Sequence, residues 1–353
     1  MVNEGKKLMS SSRQKTAKQR RNNYENKINL ALNKLRENAD TYLNYQKPGQ
    51  STEKQSEIQG LEKYSPKFNR IFEKIQENEG CQLLYSQFRT VEGIEVFKYV
   101  LDQNGYSEFK LKKDEKGEYI IDMIDEDIFG KKHYALYTGT EDKEEKEIMR
   151  QIFNSMWDKL PRKISEKLKA LEEKQNEIIG QKIEDKIITE DDAKFIEQNK
   201  YGDFIELLMI TSSGAEGITL KNTRVVHLME PYWHPVRLEQ VIGRARRICS
   251  HHTLKGEERN VRVYLYMMTF DTVEKIKEDG YGLSEEIKKD VSRFHKDEIV
   301  TTDQMLYEIS LRKKQMNNVL LDTIKSVSID CNVYNRDDGG GAMCFTFPRA
   351  AEG

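Results

Sequence analysis

The sequence predicts an α/β fold: a parallel sheet covered by helices, with a charged helical insertion and helical N- and C-terminal extensions. Three observations carry that expectation. Short apolar runs recur at Gln82–Tyr85, Tyr134–Tyr137, Ile205–Ile210, Val225–Met229 and Val261–Met268. Helical patterns lie between several of them, at Val91–Gln103, Glu141–Asn154 and Pro235–Ile248. The runs are short and apolar without alternation, as strands buried on both faces require.

Around this core the chain changes character in order. Residues 1–36 carry ten Lys/Arg against Glu4 and Glu25, and block charge of one sign marks a solvated arm. Apolar spacing becomes helical from Tyr24 and predicts a helix to about Tyr45. Lys47–Glu57 reads as a linker. The domains expected are therefore an arm, helix and linker over 1–60, the α/β lobe over 61–272, and a helical extension over 273–353. Two charged insertions interrupt the lobe. Residues 110–132 hold a KDEKGEY turn that predicts a surface hairpin, and DEDI at Asp125–Ile128 reads as surface. Residues 155–203 carry ten basic and twelve acidic residues; they predict a charged amphipathic helix, half of a helical hairpin, decorating the solvent side. Near the C-terminus Asp303–Ser326 is again helical in pattern, followed by a Gly-rich tail.

Composition excludes several classes. Apolar residues make up 37% and charged residues 33% of 353, with a net charge of −2. A uniformly basic nucleic-acid coat is excluded, although local basic patches are not. No apolar run is long enough to span a bilayer, so no membrane partner is expected. The N-terminus lacks the apolar core of a secretory signal. Four cysteines (Cys81, Cys249, Cys331, Cys344) form no disulfide framework and suit a reducing, intracellular, cytoplasmic setting.

The chemistry concentrates in Ile210–Arg247, ITSSGAEGITLKNTRVVHLMEPYWHPVRLEQVIGRARR. A strand runs into Thr211, Ser212 and Ser213, then Gly214 and Gly217. Hydroxyls and backbone N–H groups at the end of a parallel strand are ligands for phosphate oxygens. A second strand leads into a helix from Pro235 on which Gln240, Gly243/Arg244 and Arg247 recur at one face. Two guanidinium groups so spaced suit an anionic phosphate, and Gly243 between them would let another backbone pack close. The alternative is a solvated basic helix.

These residues resemble a known family. QVIGRARR (Gln240–Arg247) is similar to motif VI, Q-x-x-G-R-x-x-R, of superfamily 2 helicases and translocases. TSSGAEGITL (Thr211–Leu220) resembles their motif V and LLYSQF (Leu83–Phe88) their motif IV. YTGT with IFN (Tyr137–Thr140, Ile152–Asn154) is similar to the motif between IV and V in chromatin-remodelling ATPases. The wording of EPYWHPVRLEQVIGRARRICSHHTL resembles the large-DNA-virus branch, the poxvirus early transcription factor small subunit and nucleoside triphosphate phosphohydrolase type with giant-virus relatives. The resemblance covers approximately Leu61–Cys331 and implies the second RecA-like lobe of such an enzyme.

The resemblance also implies roles. Arg244 and Arg247 would reach nucleotide phosphates across an interlobe cleft; the alternative is salt bridging to Glu216 or Glu239. Gln240 would orient the attacking water or contact the γ-phosphate. Gly217 would pass near the ribose and phosphates, and Glu216 would accept from the ribose or pair with an arginine. Ser86, Gln87, Thr138, Gly139, Ser212 and Ser213 would line a track for DNA or RNA through backbone phosphates; for Thr138 and Thr140, helix capping is the competing role. Tyr232 and Trp233 either stack on bases or pack beneath the motif VI helix. Cys249, His251 and His252 lack a second ligand pair, so no metal site is assigned.

No G-x-x-x-x-G-K-[ST] segment occurs in the 353 residues. ATP and Mg²⁺ are therefore expected to be shared with a P-loop-bearing first lobe or upstream polypeptide, this chain being a C-terminal fragment or split gene product. The expected function is the motor lobe of an ATP-dependent helicase or translocase in viral transcription, placed in a virus factory or virion. The competing expectation is a non-enzymatic subunit that binds nucleic acid or a partner, its basic arm at residues 6–21 contributing charge.

Overall fold

The computed structural model describes residues 26–46, 60–89, 93–139, 141–189, 193–212, 217–269 and 301–327. In chain order its strands are β1 (Cys81–Tyr85), β2 (Tyr106–Glu108), β3 (Leu111–Lys113), β4 (Tyr119–Ile121), β5 (Lys132–Tyr137), β6 (Leu207–Ile210), β7 (Thr223–Leu228) and β8 (Arg262–Leu265). Six of them form one sheet in the order β2-β5-β6-β1-β7-β8, every neighbouring pair parallel. β3 and β4 pair antiparallel by themselves, the hairpin expected from KDEKGEY.

The helices are α1 (26–37), α2 (Ala39–Tyr42), α3 (Gly60–Tyr64), α4 (Pro66–Glu77), α5 (Ile94–Gln103), α6 (Asp125–Gly130), α7 (Lys143–Phe153), α8 (Arg162–Glu184), α9 (Pro235–Ala245) and, at the C-terminal side, α10 (Thr302–Val327). By contact the chain divides into two units. The first is Met1–Glu230 with Gln240–Met267, and the second is Pro231–Glu239 with Met268–Gly353.

In the first unit every residue of β1 and β6 is buried, so both faces of the sheet centre are covered. Alternation along each strand assigns the faces. Leu84, Leu207 and Met209 share a cluster with Ile71, Phe72 and Ile75 of α4 and Phe97, Val100 and Leu101 of α5. α4 starts on Pro66, whose fixed φ suits the first helical turn, and stops at Asn78, which is extended. α4 was not foreseen although Phe68, Ile71, Phe72 and Ile75 recur at helical spacing on it, and the three-residue β2 presents no apolar run.

The polar residues of the sheet form a connected network. His227 Nδ1 lies 2.7 Å from the Tyr266 hydroxyl and Nε2 lies 2.8 Å from Gln82 Oε1. The Gln82 amide donates to the Ile75 and Asn78 carbonyls at 3.0 Å. Glu206 accepts from Tyr106 at 2.9 Å and Lys132 at 2.9 Å. Satisfied in this way, buried polar groups fix one packing rather than destabilise it. Desolvation pushes His227 down to about 3, while burial pushes Glu206 up and Asp203 up to about 6.

A pH signature follows. The unfolded chain takes up a proton on His227 below about pH 6.5, and the folded chain refuses it until about 3. Stability from His227 is therefore present above pH 6.5 and falls as pH drops toward 3, by roughly 1.4 kcal/mol per unit. Asp203 and Glu206 act in the opposite sense, being raised, so the comparison needs a variant. The stability advantage of the wild type over His227→Gln is expected to shrink steadily between pH 6.5 and 4. A constant difference across that range, in denaturant titrations at each pH, would count against the neutral buried imidazole.

Residues 155–203 depart from the expected decoration. α8 is present, but Ile164, Leu168 and Leu171 on it are buried. Trp157 is 1% exposed and packs edge-to-face on Phe204 at 5.2 Å. The described part of the return segment is not a second helix. It is pinned along α8, with Ile196 N donating to Asn176 Oδ1 at 2.7 Å and Gln198 N donating to Glu172 Oε1 at 2.9 Å. Asn199 then ties the segment into the sheet: its Oδ1 accepts from Phe204 and Ile205 N–H groups, and its Nδ2 donates to the Phe153 carbonyl at 3.1 Å. Amphipathic charge patterning hid a buried stripe of one residue per turn. DEDI is also corrected in part: it opens α6, and Ile128 is fully buried.

In the second unit α10 begins with a reciprocal cap. Thr301 Oγ1 accepts from Gln304 N at 3.2 Å and Gln304 Oε1 accepts from Thr301 N at 3.0 Å, satisfying two orphan donors at the helix start.

Candidate functional site

The parallel register brings four strand ends to one edge. Tyr85 of β1 pairs with Ile210 of β6 and with Leu228 of β7, and Tyr137 of β5 also pairs with Ile210. The loops that follow start level with one another: Thr138 and Gly139, Thr211 and Ser212, Ser86 and Gln87, Met229 and Glu230. Sequence reasoning placed six phosphate-contacting residues there, and five lie on these loops. Ser213 and Glu216 lie outside the described residues.

The hydroxyls at this edge are already engaged. Ser86 is buried, with its Oγ 3.1 Å from both Glu230 Oε1 and the Phe88 carbonyl. The Gln87 N–H donates to the same Glu230 oxygen. Thr138 is buried in a matching arrangement, its Oγ1 donating to Glu141 at 2.7 Å and its N–H at 2.6 Å. Two carboxylates, neither foreseen as functional, thus fix the motif IV loop and the loop before α7. Gly139 is exposed and Gln87 half-buried, so these two, with half-buried Ser212, present the accessible groups. The motif IV loop also turns back tightly. A Cβ on Gly93 would sit 1.7 Å from the Phe88 carbonyl oxygen, so glycine is obligatory there.

Motifs V and VI are stapled together. Asn154, at the end of α7, donates to the Thr219 carbonyl at 2.8 Å and accepts from Lys221 N at 2.8 Å. Leu220 N donates to the Arg244 carbonyl at 3.1 Å. Arg247 Nη1 donates to Thr219 Oγ1 at 2.5 Å. Asn154 was quoted in a motif but given no role, and the two hydrogen bonds supply one.

Two expectations about motif VI are corrected. α9 ends at Ala245, so Arg247 lies beyond the helix rather than on its face. The turn is held by Ser250, whose Oγ lies 3.0 and 2.8 Å from the Ala245 and Arg247 carbonyl oxygens with one proton to give them, together with a left-handed Cys249. Among the described residues no atom lies within 4 Å of a Cβ built on Gly243, so none of their backbone packs against it. Gly217 likewise has open space but needs glycine for its φ of +76°.

Among the described residues neither Arg244 nor Arg247 forms an ion pair, and the buried Arg244 Nε has no hydrogen-bond partner. Glu239, one candidate partner, meets Lys314 at 3.4 Å instead. Gln240 is exposed. His251 holds the following turn, with Nδ1 2.8 Å from Ser250 Oγ and Nε2 2.7 Å from the Thr223 carbonyl. Among the described residues no cluster of three metal-ligating side chains occurs, and no helix is long and apolar enough to cross a membrane.

This arrangement can be set beside known proteins. Residues 151–249 match the helicase conserved C-terminal domain. A putative ATP-dependent RNA helicase, R563 of Acanthamoeba polyphaga mimivirus, is 26% identical over 216 residues, 61% of this chain and 28% of the relative. A second mimivirus protein of that description, R350, is 24% identical over 289 residues, 81% of this chain and 26% of the relative. A termination factor NPH-I homolog of African swine fever virus is 33% identical over 141 residues, 40% of this chain and 18% of the relative. The chain spans about a quarter of the length of the two mimivirus relatives. The stapled motifs and the parallel sheet thus surround a stretch, residues 151–249, that matches the helicase conserved C-terminal domain and is similar to viral helicases and NPH-I-type termination factors.

Proposed function

We propose that this chain is the second motor lobe of an ATP-dependent nucleic-acid helicase or translocase that acts in viral transcription. It completes an ATP site whose P-loop is carried by another lobe. The observation that carries the reading is the pair Arg244 and Arg247, set beside motif V with no carboxylate among the described residues to neutralise them. A desolvated guanidinium Nε without an acceptor is costly unless an anion completes it, and a nucleotide phosphate is such an anion. In this reading Arg244, Arg247 and Gln240 face the phosphates, while Gly217, Glu216 and Gly243 border the nucleotide. No acidic cluster is available here for Mg²⁺ among the described residues, so the metal falls to the P-loop lobe. The strand-end loops, through Gln87, Gly139 and Ser212, carry the DNA or RNA backbone, with Ser86 and Thr138 holding those loops in place. Ser213, next in sequence, is assigned the same role.

A second reading, a non-enzymatic subunit that binds nucleic acid or a partner, draws support from the missing G-x-x-x-x-G-K-[ST] segment. One experiment separates them. The chain alone is expected to hydrolyse no ATP above background, and joined to a P-loop lobe it is expected to become a nucleic-acid-stimulated NTPase. In the same preparation, log K for duplex DNA should fall with log salt at a slope of about −0.9 per phosphate neutralised, and nearly without sequence preference. ATPase activity from the purified chain alone, or a flat salt titration, would overturn the motor-lobe reading.

A further inference from the structure

In the second unit Trp233 is 46% exposed, although burying an indole is among the more favourable things a fold can do. The expected packing beneath a helix is not what surrounds it. Lys313 of α10 holds its Nζ 3.8 Å from the Trp233 ring centroid, a cation over an aromatic face. The neighbouring rings leave stacking on it unused: Tyr232 lies 5.8 Å away tilted by 51°, and His234 meets it edge-on at 5.5 Å and 86°. Arg237 sits 5.9 Å over Tyr232, Arg312 is exposed beside Lys313, and Lys314 reaches Glu239.

An exposed indole with an ammonium over one face and no ring stacked on it suits a planar group attached to an anion. We propose that Trp233 is a stacking site for an unpaired base of single-stranded nucleic acid, with Arg312 and Lys313 meeting the adjoining phosphates. This rests on the nucleic-acid reading above and adds a base contact from the second unit to it. The ligand is single-stranded because the base faces of a duplex are already stacked on one another. Base–aromatic stacking tolerates any sequence, since every base has a π-face. A protein docking patch fits less well, because charge is depleted at the centre of such patches, whereas here an ammonium lies on the ring itself.

The test uses the full chain at low salt with two probes of equal length and charge, an oligodeoxythymidine and its abasic counterpart. Trp233→Ala is expected to weaken the oligodeoxythymidine about 5- to 150-fold and to leave the abasic strand unchanged, while Trp233→Phe keeps most of the affinity. Trp157 and Trp233 are the chain's two tryptophans. In a Trp157→Phe background the emission of Trp233 should be quenched by the oligodeoxythymidine and not by the abasic strand. Equal binding of both probes by wild type and Trp233→Ala would overturn the stacking site alone. Failure of the wild type to bind either probe would remove the nucleic-acid reading and the stacking site with it.

Discussion

Arg247→Ala, in the NTPase formed with a P-loop lobe, is expected to lower turnover by about 10³- to 10⁵-fold, the worth of an arginine that stabilises charge on a departing γ-phosphoryl group. The guanidinium lies beyond the end of α9, and its hydrogen bond to Thr219 Oγ1 ties it to motif V. That bond uses one N–H of five, so the fork retains donors for an anion. Nucleotide affinity should change far less than turnover, because the ground state is held mainly by the other lobe and only transition-state charge demands this side chain. Arg247→Lys should not restore the rate, since an ammonium cannot reproduce a planar, bidentate fork. Steady-state and single-turnover ATPase measurements distinguish the outcomes. Normal turnover in Arg247→Ala would show that the residue serves only to hold the Thr219 loop.

Much of this site was legible in the sequence, and the reasons it was are physical. The central strands β1 and β6 announce themselves because a strand buried on both faces must be continuously apolar, and β5, β7 and the edge strand β8 through shorter apolar stretches. Gln240, Arg244 and Arg247, the residues proposed to face the phosphates, stand out because they have no packing rationale at that spacing. The illegible parts depend on contacts remote in sequence. Nothing local tells that the Glu230 carboxylate will receive Ser86, 144 residues earlier, or that Asn154 will clasp the chain at Thr219. The end of α9 was misjudged because apolar and basic spacing continues past Ala245, and a serine five residues on takes the carbonyl that the helix would have used. Nothing local tells that Trp233 will meet Lys313 of α10, 80 residues later.

Deleting residues 155–203 is expected to abolish cooperative folding, contrary to what their charge pattern suggests. The segment supplies Trp157, Leu160, Ile164, Leu168, Leu171 and Ile196 to the buried interior, and Asn199 binds the chain to α7 and to the approach of β6. Removing it would uncover Phe204, on which Trp157 packs, and leave the Phe204 and Ile205 N–H groups without their acceptor, a cost of about 1–3 kcal/mol each. Single substitutions give the graded form of the same result. Trp157→Ala should destabilise by about 3–5 kcal/mol and Leu168→Ala by about 2–5 kcal/mol, the range for emptying a packed interior. The far end of the segment is different: Gln181, Lys182, Glu184, Asp185, Lys186 and Ile187 are exposed. Replacing residues 180–192 by a short polar loop should therefore cost little, because lengthening or shortening a surface connection changes closure entropy only slightly. Thermal and denaturant melts of the two deletions compare directly. A cooperative melt in the chain lacking 155–203 would return the segment to the status of decoration, and loss of the melt in the shorter replacement would extend the core to the tip of α8.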